Sequence, residues 1–92
     1  MNDLKNIEQI LIRMTNLLRL SNVEGWAEVL DECNRKLSVQ PVESTIKILS
    51  LYGGMGSLND VILYKNGQPL FQENSEFDDL RGNLYQLCKK IK

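Results

Sequence analysis

The groups that could do chemistry in this chain of 92 residues are few, because it contains no histidine. Histidine-based triads, proton shuttles and His-ligated metal sites are therefore excluded. The two cysteines, Cys33 and Cys88, form no CxxC motif, and two thiols alone cannot complete a four-ligand zinc site. An activated thiolate also needs a basic or cationic partner and exposure, whereas both cysteines fall on or beside apolar helical stripes. We expect buried, reduced thiols, and predict that the chain is not an enzyme and has no catalytic residue, metal ion or cofactor.

A glycine-rich segment, Gly53–Ser57, is the second candidate for chemistry. A phosphate-binding loop follows a strand and opens a helix, whereas these glycines follow an apolar helical segment and lack the GK[ST] signature. They predict a helix stop and a tight turn with at least one glycine at positive φ. The side chains of Ser57, Asn59 and Asp60 are expected to bond loop amides. The alternative is a loop that contacts a partner, with Met55 among the contact residues.

Acidic residues on the second predicted helix form the third candidate. Glu24, Glu28 and Glu32 would share one helical face, but glycosidase chemistry needs two carboxyl groups that face each other across a cleft. A solvated helix face is the better interpretation of this row. Exposed carboxylates such as Glu28 and Asp31 could instead steer association with a basic partner.

Composition argues against two other classes of partner. The chain carries 11 Lys+Arg and 12 Asp+Glu, for a formal charge of -1, and its basic residues are scattered. Nucleic-acid binding is therefore not predicted. No apolar run is as long as the ~18 residues that indicate a membrane-spanning helix. The first residues lack the pattern of a signal peptide, so we expect a cytoplasmic protein that binds neither nucleic acid nor membrane.

Hydrophobic periodicity predicts the helices that position these groups. Apolar residues recur with steps of three and four over residues 4–18, which predicts a first helix with Asn2 as its cap. Ser21 and Glu24 match a capping box, which predicts that a second helix starts here and continues to Leu37.

Two further helices are expected. The third begins near Pro41, should be the most buried because apolar residues cover most of its circumference, and ends at Gly53. The fourth begins with Ser75 as its cap and carries an apolar stripe to Ile91. Gly82 lies within this last helix, which suggests that another backbone packs closely there.

A β-hairpin is predicted between the third and fourth helices. Asn66-Gly67 between two apolar runs is the strongest short signal for a two-residue hairpin turn. The predicted fold class is therefore mainly α, a four-helix bundle-like single domain over residues 1–92 with one β-hairpin inserted between helices 3 and 4. The turn sets a register of three facing pairs: Lys65 with Gln68, Leu63 with Leu70, and Ile62 with Phe71.

Both faces of this hairpin are apolar. A small helical bundle can bury only one of them, so the other is either an exposed interaction patch or is covered by loops or the N-terminal helix. The two faces consist of Val61, Leu63 and Leu70 on one side, and of Ile62, Tyr64, Pro69 and Phe71 on the other.

Two motifs in this sequence resemble those of a family of short, largely uncharacterised bacterial proteins. In that family a GGMGS-x-ND loop precedes a hairpin and an F-D-x-L-R-x-x-L-Y helix, which here correspond to residues 53–60 and 77–85. The resemblance covers residues 50–88 and implies a cytosolic bacterial protein without known catalysis. Some proteins of this size and type look like immunity proteins, which bind and block a toxin delivered by a neighbouring cell.

We therefore expect a protein that acts by binding another protein. The preferred hypothesis is an immunity-type protein that neutralises a cognate bacterial toxin, for example a nuclease, because acidic surfaces would steer association with a basic toxin. The alternative is a homo-oligomeric structural or adaptor protein that forms a homodimer through the hairpin. The predicted partner-binding residues are Glu28, Asp31, Met55, Ser57, Asn59, Asp60, Tyr64 and Phe71.

Overall fold

A computed structural model describes residues 3–91, and this part of the chain forms four α-helices with a short β-hairpin between the third and fourth. The predicted fold class is confirmed. Asn2, the predicted cap of the first helix, lies outside the described residues. The elements are α1 (Asp3–Leu20), α2 (Glu24–Leu37), α3 (Pro41–Ser50), a 3₁₀ turn (Leu58–Asp60), β1 (Tyr64–Lys65), β2 (Gln68–Pro69) and α4 (Phe71–Ile91).

The helices enclose one hydrophobic core. α1 packs against α2 and α4, and α3 packs against the same two helices on the opposite side. Full burial of a Leu, Ile or Phe side chain stabilises a fold by about 1.5–3 kcal/mol, so this core is the main source of stability. The fully buried large side chains include Ile7, Leu11, Met14, Leu18, Leu30, Ile48, Leu58, Leu63, Phe77 and Leu84.

The start of α2 differs from the predicted capping box. Val23 occupies the cap position, and no side chain within residues 3–91 caps the helix. The Ser21 hydroxyl donates to the carbonyl of Leu18 at 3.3 Å and so closes the end of α1 instead. Glu24 accepts hydrogen bonds from Arg19. The prediction is wrong because the same serine can end the preceding helix, and a local pattern does not show which helix it serves.

α3 begins at Pro41 as predicted but is not the most buried helix. It ends at Ser50, and both Val42 and Ile46 are exposed on its outer side. Among the described elements only α2 and α4 pack substantially against α3. Two neighbouring helices cannot bury apolar residues on every side of a helix, so some of those of α3 remain exposed. The C-cap of α3 is Leu51, in a right-handed helical conformation, so the prediction that Gly53 ends the helix is wrong. Gly53 lies in the loop that follows and has φ +89°, in the left-handed region.

The glycine predictions have two outcomes. Gly54 and Gly56 also have positive φ, +82° and +72°, so the conformational demand predicted for the glycine-rich loop is confirmed. Gly82 is exposed within α4, and a Cβ added there would meet no described atom within 4 Å. The expected close approach of another backbone at Gly82 is therefore wrong.

The hairpin turn is confirmed. Asn66 and Gly67 have φ +53° and +77°, as a two-residue turn with two left-handed positions requires. Lys65 pairs with Gln68 in the predicted register. No helix within residues 3–91 combines the length and apolar character that crossing a membrane would require.

α4 begins at Phe71, one turn before Ser75, which was predicted as its cap. The amide of Leu70 donates to the carbonyl of Leu63 at 3.0 Å, so that predicted pair is confirmed. The predicted pair of Ile62 with Phe71 is wrong, because Ile62 precedes β1 and Phe71 is already helical. The prediction of the helix start is wrong because a tertiary contact extends the helix: Asn74, in the added turn, bonds the backbone of Leu63.

Candidate functional site

The two faces of the hairpin differ sharply in exposure. Leu63 is fully buried, and Val61 and Leu70 pack against the core. On the other face, Ile62 is exposed by 56% and Tyr64 by 49%, and Phe71, the first residue of α4 directly after the hairpin, is exposed by 79%. We call Ile62, Tyr64 and Phe71 the hairpin outer face. The hairpin outer face is therefore exposed, and is not covered by loops or by the N-terminal helix of the described chain.

A cleft adjoins the hairpin outer face. Val23 and Trp26 at the start of α2 form one wall, and the segment from Gly56 to Ile62 forms the other. Its volume is about 250 Å³. Asp60 lies at this cleft and supplies its only carboxylate among the described residues. The apolar surface therefore continues from Ile62 to the indole of Trp26, next to an acidic group.

The glycine-rich loop owes its shape to its own polar groups. The Ser57 hydroxyl accepts a hydrogen bond from the amide of Asn59 at 3.2 Å, and the Asp60 carboxylate accepts one from the amide of Gly56 at 2.6 Å. Ser57 is buried, whereas Met55 is almost fully exposed at the tip of the loop. Ser57 and Asp60 thus hold the backbone, and Met55 remains available to a partner.

Three of the predicted partner-binding residues lie away from the hairpin outer face. Glu28 lines a groove of about 540 Å³ between α2 and α3. Asp31 forms an ion pair with Arg19 at 2.7 Å and so links α2 to the end of α1. Asn59 lies at a second cleft, between the loop and α4. The structure therefore brings Asp60 close to the hairpin, and spreads Glu28, Asp31 and Asn59 over other surfaces.

Trp26 and Ile62 were not among the predicted partner-binding residues. Ile62 could have been included, since strand alternation places it on the same face as Tyr64. Trp26 had no such signal, because its position on an apolar helical stripe indicates only burial, and its proximity to Ile62 depends on how α2 packs against the loop.

The F-D-x-L-R-x-x-L-Y motif, residues 77–85 of α4, forms a cluster of contacts with the glycine-rich loop and its flanking residues. The Tyr52 hydroxyl donates to the carbonyl of Arg81 at 2.7 Å, and the Arg81 guanidinium donates to the carbonyl of Leu58 at 3.0 Å. Arg81 also pairs with Asp78 and lies 5.5 Å from the centre of the Phe77 ring. Burial raises the pKa of the Tyr52 hydroxyl above its ordinary value, so it stays protonated as a donor. These contacts fasten the loop to α4.

Comparison with known proteins gives one result. A family model described as a domain of unknown function, DUF6966, matches residues 19–70, which is more than half of the chain. The chain belongs to the DUF6966 family. No curated protein and no solved structure matches it. The DUF6966 match includes the glycine-rich loop, the cleft and the hairpin outer face up to Tyr64, whereas Phe71 follows its last residue.

The two cysteines of this DUF6966 chain are buried and free. Burial raises the pKa of the Cys33 thiol, and burial together with the Cys33 thiol raises the pKa of Cys88 to about 12. Burial therefore favours the thiol over the thiolate in both groups at neutral pH, and the thiolate is the nucleophilic form. Within residues 3–91, no group of three or more His, Cys, Asp or Glu side chains is arranged to hold a metal ion.

Proposed function

We propose that this chain is an immunity-type protein of the bacterial cytoplasm, which binds a protein toxin through the hairpin outer face and neutralises it. One observation carries the proposal: Ile62 and Tyr64 in the hairpin, and Phe71 at the start of α4 directly after it, are all exposed, whereas the opposite face of the hairpin packs against the core. Contiguous exposed apolar patches on small proteins commonly mark contact surfaces.

The chemistry of this surface suits a protein partner. Aromatic side chains dominate the binding energy of many protein interfaces, and Tyr64, Phe71 and the nearby Trp26 are of this type. The cleft beside Ile62 has room for a side chain of the partner. Because the cleft is walled by apolar groups with a single acid, Asp60, a basic side chain with an apolar stem is the best fit.

Charge supports a basic toxin as the partner. Residues 60–80 contain five acidic residues and one basic residue, Lys65. Glu76 and Asp78 pair with arginines of this chain, whereas Asp60, Glu73 and Asp79 form no ion pair within residues 3–91. Acidic groups without an ion-pair partner accelerate the approach of a basic protein. The resemblance to short bacterial proteins of the immunity type points in the same direction.

The test uses the protein encoded beside this chain in its genome. That protein is expressed in a sensitive bacterium with and without the chain, and growth is followed. We expect the chain to restore growth. Tyr64→Lys and Phe71→Lys should each abolish protection and weaken binding by about 2 kcal/mol or more, as loss of an aromatic contact at an interface centre does. Val39→Lys is the matched control, because Val39 is as exposed as Phe71 but lies between α2 and α3.

Two outcomes contradict the proposal. One is that the neighbouring protein is harmless, or that the chain does not relieve its toxicity. The other is that Tyr64→Lys and Phe71→Lys protect as well as the unmodified chain. Light scattering of the isolated protein addresses the alternative, because a concentration-dependent dimer that Tyr64→Lys disrupts would indicate self-association through the hairpin.

A further inference from the structure

α3 departs only in part from the pattern of an ordinary amphipathic helix, since Glu43, Lys47 and Ser50 are exposed as in such a helix. Such a helix buries its aliphatic side chains and exposes its hydroxyls. α3 buries two hydroxyl residues, Ser44 and Thr45, together with Ile48. It exposes Val42 by 51% and Ile46 by 48%. These two exposed residues are one helical turn apart, and we call them the α3 outer stripe.

A hydrogen bond to α2 fixes the inward face of α3. The Ser44 hydroxyl donates to the carbonyl of Cys33 in α2 at 2.7 Å, whereas the bond from the Thr45 hydroxyl to the carbonyl of Val42 lies within α3. Rotating α3 to bury the outer stripe would take Ser44 away from Cys33 and expose Ile48. Since the helix cannot turn without these losses, the outer stripe stays on the surface of this chain, where another molecule can cover it.

Charged residues beside the outer stripe indicate which molecule fits. Glu43 and Lys47 each follow a residue of the outer stripe at the rim of the groove between α2 and α3, and neither forms an ion pair within residues 3–91. One acid and one base give this face no net charge, so it does not favour a strongly basic or strongly acidic partner. It is complementary to itself if two copies of α3 lie antiparallel.

The geometry of that pairing follows from the sequence of α3. When two antiparallel copies cross at Ser44 and Thr45, Val42 of each copy faces Ile46 of the other. The same crossing places Glu43 of each copy beside Lys47 of the other, so both the apolar and the ionic contacts occur twice. A parallel pairing would instead set Glu43 against Glu43 and Lys47 against Lys47.

We infer that two copies of this chain associate through an antiparallel α3–α3 contact. This surface is separate from the hairpin outer face, so the inference does not depend on the proposed function. A single pair of short helices covers less than the ~800 Å² per partner of a standard stable interface. The dimer is therefore weak and forms as the protein concentration rises.

Sedimentation of the purified protein over a wide range of concentrations tests the inference. We expect a monomer–dimer equilibrium, and Ile46→Lys should raise the dimer dissociation constant at least about tenfold, because each dimer contains the change twice. Ile12→Lys is the matched control, since Ile12 is 42% exposed on α1, the helix opposite α3. Circular dichroism should show the same helix content for both variants and the unmodified chain.

Charge exchange tests the antiparallel geometry. Glu43→Lys and Lys47→Glu should each weaken the dimer, because each places like charges together twice. The double variant keeps the net charge of the unmodified chain, and it should restore the dimer. Glu8→Lys is the control for a change of net charge elsewhere on the surface.

Three results would overturn the inference. The protein could remain a monomer at every concentration. The dimer could survive Ile46→Lys, or it could be lost in Tyr64→Lys instead, which would place the contact on the hairpin. Single charge reversals that leave the dissociation constant unchanged would exclude the antiparallel arrangement.

Discussion

The side chain of Asn74 forms two hydrogen bonds with the backbone of one residue, Leu63. Its Oδ1 accepts from the Leu63 amide at 2.7 Å, and its Nδ2 donates to the Leu63 carbonyl at 3.0 Å. A carboxamide offers one acceptor and a donor side by side, as a neighbouring strand would. Asn74 therefore takes the place of a strand partner, and it fastens the first turn of α4 to the base of the hairpin.

Asn74→Ala should lower the free energy of unfolding by about 2 kcal/mol, because the amide of Leu63 loses its partner in a partly buried place. Asn74→Asp should have a smaller effect if the retained acceptor is what matters most. Urea titration measures both. Asn83→Ala is the control, since Asn83 is an exposed asparagine of the same helix that makes no side-chain hydrogen bond within residues 3–91. An equal effect of Asn74→Ala and Asn83→Ala would show that the contact does not stabilise the fold.

Two glycines should respond to alanine in opposite directions. Gly82 lies inside α4 with open space around it, so Gly82→Ala should raise stability by about 1 kcal/mol through helix propensity alone. Gly54 has φ +82°, where a Cβ is strained, so Gly54→Ala should lower stability by about 1–2 kcal/mol. Thermal melting of both variants measures the changes. A lower melting temperature for Gly82→Ala would mean that α4 needs glycine there for another reason.

Neighbouring hairpin residues should tolerate charge very differently. Leu63→Lys places an ammonium group in the core and should prevent folding, because total stability for a domain is about 5–15 kcal/mol and an unpaired buried charge costs a large part of it. Tyr64→Lys leaves the core intact and should retain the helix content and a cooperative melting curve. Circular dichroism distinguishes the two. If Tyr64→Lys also unfolds the chain, the hairpin outer face is structural and has no part in binding.

Stability should decline at alkaline pH because of Cys88. Burial, with a contribution from the Cys33 thiol, raises its pKa from the ordinary value of 9.0 to about 12. Between these values the unfolded chain loses this proton and the folded chain keeps it. The free energy of unfolding is therefore unaffected below pH 9 and falls above it, by at most about 1.4 kcal/mol per pH unit for this one group.

Cys88→Ala isolates this effect. The variant is less stable at every pH, because it leaves a cavity, but its stability should decline less steeply between pH 9 and 12. Urea titrations over this range, under reducing conditions, give both slopes. Parallel slopes for the variant and the unmodified chain would show that Cys88 is not the group responsible.

The local signals that predicted elements correctly concern residues close together in the sequence. Asn66-Gly67 specified its turn because positive φ at two successive positions is a property of those residues themselves. Pro41 marked the first turn of α3 for the same kind of reason. The predictions of Ser21 and Ser75 as helix caps are wrong because a serine that fits a cap pattern can equally end another helix or lie within one.

The candidate site was predictable only in part. Strand alternation placed Ile62 and Tyr64 on one face, and both are exposed, whereas Phe71, predicted for the same face, is exposed as the first residue of α4. Trp26 beside Ile62, and the outward direction of Val42 and Ile46, had no counterpart in the sequence pattern. Both depend on which helix packs against which.

The sequence by itself therefore determined the helices, the hairpin turn and the glycine-rich loop, since periodicity and turn chemistry act over a few neighbouring residues. Tertiary structure alone decided where α4 begins, through Asn74 and Leu63, and which side of α3 is buried, through Ser44 and Cys33. These choices join residues that are distant in the chain. The contacts that decide them stabilise the protein only when the helices pack together, so a local pattern of residues cannot predict them.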